Sequence, residues 1–193
     1  MNKSTELLIS KHIEMRVYSE KDVQFIYKMF QNKSLLHLWS PNTEFDSFKK
    51  FKGMLERRFA HRWDHGYVFI EKMTNKIIGF AYCYSANEFN KNTCVCIFID
   101  QPFIAHAHAL QASYLYINYL FLVSKYRKIY AEVYSYNSRC VRLLKHIGFI
   151  EEGCLKEHQA WEGKYWDQYI FSMTRQMFDM KSRSYGKVIE RVM

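Results

Sequence analysis

Apolar residues along this chain recur with two different periods, and the places where the period changes mark its elements. Ile13 to Val17 is a short run of strand character. Tyr67 to Glu71 and Ile77 to Ser85 are two more, rich in β-branched and aromatic residues and flanking the turn Met73-Thr74-Asn75-Lys76. Between the first run and the second, Val23, Ile26, Tyr27 and Phe30 return at helical spacing behind Ser19 and Asp22, a start of the capping-box kind. Thr43 and Asp46 repeat that start before Phe48, Phe51, Leu55 and Phe59, a second amphipathic helix. A polar loop from Ala86 to Asn92 leads into a strand over Thr93–Asp100. After Gln101-Pro102 a long helix, Ala107–Tyr126, carries Leu110, Tyr114, Ile117 and Phe121 on one face, which predicts core. From Arg127 the pattern gives a strand closed by Asn137, a helix ending at Gly148-Phe149, and a strand opening at Glu152-Gly153. Gly163, Tyr165 and Asp167 are expected at a hairpin tip. The alternation predicts one α/β domain: a mixed, mostly antiparallel sheet of six or seven strands flanked by helices. No repeat or linker interrupts residues 1–178, and 179–193 form a basic, weakly periodic tail.

Composition narrows the class without naming a function. At 193 residues, 49% apolar and 18% aromatic, with 7 Gly and 2 Pro, the chain can bury a core and is not low-complexity. No apolar run reaches membrane-spanning length, Tyr114–Val123 being broken by Asn118, and the first residues lack the apolar core of a signal peptide. A cytoplasmic protein is the expectation. The five cysteines are odd in number and set in apolar strand patterns, which predicts reduced thiols rather than a disulfide framework. Cys94 and Cys96 share a strand face, but no second His or Cys pair stands at helpful spacing, so no metal is expected. The net charge of +9 attracts polyanions. The 28 Lys and Arg are dispersed rather than gathered in an arm, which argues against nucleic acid.

The stretch RKIYAEVYSYNSRCVRLLKHIGFIEEGCLKEHQAWEGKYWDQYIFSM, residues 127–173, together with Ile78-Gly79-Phe80, resembles the GNAT superfamily of N-acetyltransferases, in the branch of ribosomal-protein and diamine acetyltransferases. The resemblance extends over residues 13–178. It implies two central strands that splay, so that a pantetheine arm pairs with Ile97, Phe98 and Ile99. Asn137 would cap the following helix and bond the pantetheine. The pyrophosphate would rest on the loop and helix start formed by Ala105, His106, Ala107, His108 and Ala109. Here the chain departs from the family: its usual loop carries glycine, this one none, and Ala107 takes the central glycine position. His106 and His108 would contact phosphate if protonated.

The family's carboxylate base falls at Cys94, leaving Glu88 in the preceding loop as the substitute. The usual tyrosine donor falls at Leu144, while the serine of the ribosomal-protein branch falls at Cys140. A thiol in the first turn of a helix has a route to a lowered pKa; a small residue packed beside the cofactor is the other reading. Trp39, Trp161 and Tyr165 would bound the acceptor. The implied function is transfer of an acetyl group from acetyl-CoA, without a metal, to a primary amine of a small molecule, amino sugar or peptide, by a monomer or homodimer. The altered loop keeps two alternatives open, a donor carried on an acidic acyl carrier protein and a non-catalytic binding module.

Overall fold

Seven strands pair into one sheet in the computed structural model, which describes residues 9–39, 45–59, 66–104 and 107–182. The strands are β1 (Ile13–Val17), β2 (Tyr67–Glu71), β3 (Lys76–Asn87), β4 (Asn92–Ile99), β5 (Lys128–Tyr134), β6 (Ile150–Trp161) and β7 (Lys164–Thr174). Their order is β1-β2-β3-β4-β5-β7-β6, and every neighbouring pair is antiparallel except β4 and β5. Four helices matter to the argument: α1 (Val23–Gln31), α2 (Phe48–Arg58), α3 (Ala107–Leu122) and α4 (Ser138–Ile147).

The helices divide between the two sheet faces, as alternating strands require. On one face Val68, Phe80 and Phe98 pack against Ile26 and Met29 of α1 and Phe51 and Leu55 of α2. On the other, Met15, Phe69, Ala81 and Ile129 meet α3 and α4. A bulge lets β3 serve both. Phe69 pairs with Gly79 and Ile70 with Ile77, so Ile78 is an extra residue that shifts the alternation by one.

Local chemistry explains most boundaries. The Ser19 N–H donates to Asp22 Oδ2 at 2.7 Å, and a 3-10 turn over Glu20–Asp22 leads into α1. Ser47, rather than the expected Thr43 and Asp46, caps α2, its hydroxyl accepting from Lys50 N at 3.3 Å. Asp46 pairs with Lys50 instead, and Thr43 lies outside the described residues. The stripe expected on α3 is too narrow. Ile117 and Phe121 are buried, but so are Gln111, Ala112, Leu115, Tyr116 and Leu120, because the helix is covered on several sides. At the long hairpin Glu162 and Gly163 make the tip, both at positive φ. Asp167 is not there: it accepts from Glu157 N at 3.0 Å beside a bulge farther down the strands. A helical stretch over 175–182 follows β7 and crosses the expected start of the tail. Residues 183–193 lie outside the described residues. All five cysteines are free thiols.

Candidate active site

The central strands part where the parallel pair begins. β4 and β5 pair only through Asn92–Cys94 and Lys128–Tyr130. Beyond those residues β4 stays on β3 as far as Ile99 against Gly79, while β5 follows β7. Gly79 makes the first choice possible. A Cβ there would come within 2.5 Å of the Phe98 carbonyl oxygen and 2.6 Å of Ile99 Cδ1, so only glycine lets β3 approach this closely.

The gap between β4 and β5 is a groove of about 260 Å³. Ile97, Phe98 and Ile99 line it from β4, and Ala109, Leu110 and Ser113 from α3. Asn137, Cys140 and Leu144 close it from the start of α4. Backbone groups along the parted strands have no strand partner across the groove, an arrangement suited to an extended ligand arm. Asn137 does two jobs: its Oδ1 accepts from Cys140 N at 3.2 Å, capping α4, and its Nδ2 reaches the Leu38 carbonyl at 3.4 Å. The Tyr136 hydroxyl donates to the His37 carbonyl at 2.6 Å. Together they tie the segment ending at Trp39 to the groove.

A second cavity, about 250 Å³, opens on the α2 side and meets the groove at Trp39, Val95, Cys96 and Glu132, which line both. Trp39 stacks on Phe98 with ring centroids 4.7 Å apart, and its indole Nε1 is buried with no hydrogen-bond partner among the described residues. Glu132 Oε2 accepts from the Tyr84 hydroxyl and from Gln168 Nε2, both at 3.1 Å. Burial raises the Tyr84 phenol well above its ordinary range, and the Glu132 charge adds to this, so Tyr84 stays a donor. Tyr82 and Tyr134 complete the wall, and Arg58 lies over the Tyr82 ring, its Cζ 4.4 Å from the centroid.

These positions correct several sequence expectations. Cys140 lines the groove, but burial pushes its thiol up to about 12 rather than down. The helix start does not overcome the loss of solvation. That shift favours the protonated thiol over the thiolate. Cys94 and Cys96 are likewise raised to about 11, by burial. Glu88 is exposed in the turn beyond Asn87 and lines neither cavity. His108 turns toward His12, at 5.7 Å between centroids, and Phe103, at 5.4 Å, instead of into the groove. Ala107 is exposed at the first position of α3, while Ala105 and His106 lie outside the described residues.

Among the acceptor candidates, Trp39 lines both cavities. Trp161 stacks on His37 at 5.3 Å, one step removed from them, and Tyr165 is 71% exposed near the hairpin tip. The carboxylate missed from the sequence is Glu132. One signal was present: it is the only acid in the β5 run KIYAEVY, on the opposite face from buried Ala131 and Val133.

Residues 12–150 match the family model described as acetyltransferase (GNAT) domain. The chain is 27% identical over 106 residues to an uncharacterised, SPbeta prophage-derived N-acetyltransferase, YokL, of Bacillus subtilis (strain 168). That match covers 55% of this chain and 60% of the relative's own length. It is 22% identical over 159 residues to spermidine N(1)-acetyltransferase of Vibrio cholerae, covering 82% of this chain and 91% of that one. The crystal structure of the Vibrio cholerae spermidine N-acetyltransferase with CoA and spermine superposes with a TM-score of 0.80 at 21% identity. It covers 86% of this chain and 98% of that chain, a likeness of fold. A dodecameric structure of the same enzyme matches with a TM-score of 0.75 at 20% identity, covering 86% of this chain and 95% of that one.

Proposed function

The chain belongs to the acetyltransferase (GNAT) domain family, and on that premise we propose that it moves an acetyl group from acetyl-CoA to a primary amine held at Glu132. The observation that carries this reading is the meeting of the two cavities, since a donor arm in the groove and an amine in the second cavity come together at Cys96 and Glu132. The groove suits acetyl-CoA on its own terms. Its lining is largely apolar, its strand edges are unpaired, and Asn137 is a polar group on the groove wall. The first-turn amides of α3 offer the usual place for a pyrophosphate, with Ala107 in the glycine position.

When bound, acetyl-CoA supplies a thioester carbonyl carbon and a thiolate leaving group. The chain's part is to present a neutral amine to that carbon. A primary amine is protonated at neutral pH. Glu132 attracts the ammonium and takes one of its protons, directly or through water; the neutral amine then attacks the thioester carbon, and as the C–S bond breaks a second N–H proton passes through water to the departing sulfur, leaving an amide and a free thiol. Tyr84 and Gln168, both donating to Oε2, fix the carboxylate and leave Oε1 to the amine. The Trp39–Phe98 stack forms an apolar wall where the two cavities meet. The test is calorimetric titration with acetyl-CoA followed by thiol release on adding primary amines. Heat of binding and amine-dependent thiol release are expected; neither at millimolar acetyl-CoA would sink the reading.

A further inference from the structure

The second cavity brings together two opposite charges that no ion pair among the described residues neutralises. On its β5 side, Glu132 commits Oε2 to Tyr84 and Gln168, and among the described residues Oε1 has no partner. On its α2 side, the Arg58 guanidinium lies over Tyr82 and makes no ion pair among the described residues. A guanidinium supported on a ring face keeps its edge N–H groups free to grip a carboxylate or phosphate. Tyr82 pairs with Cys96 across β3 and β4, and Glu132 lies on the far side of β4. Both charges therefore face one cavity of about 250 Å³.

Resting on the acetyl-transfer reading above, we propose that the acceptor is a primary amine that also carries an anionic group, its ammonium end at Glu132 and its anionic end at Arg58. The anion is a carboxylate or a phosphate joined to the amine by a spacer short enough for a cavity of about 250 Å³. A polyamine fits this cavity poorly. Glu132 is the one carboxylate among its described lining residues, and a second ammonium would meet Arg58 and be repelled. The acceptor class thus differs from that in the names of the spermidine acetyltransferases whose fold the chain shares.

The experiment measures thiol release by the 193-residue protein at saturating acetyl-CoA with amines of matched length: 4-aminobutanoate, n-butylamine and 1,4-diaminobutane. A fourth amine, 3-aminopropyl phosphate, separates phosphate from carboxylate. One of the two anionic amines is expected to exceed both of the others in kcat/KM by about tenfold or more, chiefly through KM. Arg58→Gln brings its ratio to n-butylamine toward one, Arg58→Lys keeps part of the preference, and Arg58→Glu turns it toward 1,4-diaminobutane. The thermal shift given by acetyl-CoA reports that each variant is folded with its donor groove intact. A preference of the parent protein for 1,4-diaminobutane, or a ratio unmoved in Arg58→Gln, overturns the proposal and leaves acetyl transfer standing. Absence of thiol release with all four amines overturns it too, and loss of the acetyl-CoA shift in that case strikes the acetyl-transfer reading as well.

Discussion

Glu132 and Cys140 both line the groove, and their environments set opposite expectations. If Glu132 takes the proton from the incoming ammonium, Glu132→Gln keeps the Tyr84 contact and removes the base. The kcat/KM for a primary amine then falls about 100-fold or more at neutral pH, with acetyl-CoA affinity retained. The deficit should narrow as pH rises toward about 10, where a lysine-like amine is neutral without help. A deficit that stays constant across that range would assign Glu132 to binding alone. Cys140 is held near 12 by burial, so giving its proton to a departing thiolate of ordinary pKa, about 8.5, is uphill by several kcal/mol. Cys140→Ala is therefore expected to change kcat less than about threefold, and a drop of tenfold or more would restore it as a donor. The contrast explains what was legible in the sequence. Asn137 could be read because a cap is a local relation, an acceptor three residues before the N–H it serves. Glu132 left only the weaker signal of a lone acid in a strand, because its setting depends on Tyr84 and Gln168, which reach it from strands distant in sequence.

Elements behave the same way: those set by local pattern were legible, and those set by pairing were not. β1 and β2 fall where their apolar runs stand. The bulge at Ile78 and the parting of β4 from β5 leave no local trace beyond Gly79 itself. Gly79→Ala tests that link. Its Cβ would meet backbone at Phe98, which cannot swing aside, so the cost is overpacking of about 1–3 kcal/mol. The melting temperature should drop by roughly 3–10 °C. Because the displaced residues are Phe98 and Ile99 of the groove, acetyl-CoA affinity should fall as well; a stability loss with affinity intact would dissociate the two. The β1–α1 junction makes a second, pH-dependent case. Burial alone would raise the Asp22 carboxyl, but bonds from the Arg16 guanidinium and from Ser19 outweigh it and hold the group at about 2. A depressed carboxylate stabilises the fold above its unfolded pKa, 3.8, and loses that contribution as pH falls toward 2. Denaturant titrations of the parent should lose about 2 kcal/mol more than those of Asp22→Asn across that window, and parallel curves would show the ion pair to be worth little.

At the scale of the whole molecule the sheet is two sheets joined by a short seam. β1 to β4 form one antiparallel body and β5, β7 and β6 another, and the ladder between them is the three residues Asn92–Cys94 against Lys128–Tyr130. Below the seam the halves are held by side chains from α3 and α4 that touch both, in one core running from Met15 to Phe171. A chain pattern reports strands and helices but not which neighbouring pair will be left incomplete, so the groove was expected from family resemblance rather than from periodicity. A ligand arm that fills the gap pairs with both halves and binds only the folded chain. Acetyl-CoA at about one hundred times its Kd should then add roughly 2.7 kcal/mol of stability. For a chain of this size that raises the melting temperature by about 5–10 °C. Amide exchange should slow along Val95–Ile99 and Ala131–Tyr134, the strand segments beyond the seam, more than along β1 or β6. Because the chain carries a net charge of +9 and CoA is a polyanion, the shift should shrink as salt rises from about 0.05 to 0.5 M, while the unliganded melting temperature moves little. Stabilisation with exchange slowed only near the start of α3 would mean that the phosphates bind and the arm does not. No shift at any salt concentration would mean that the gap between the halves is not a donor site.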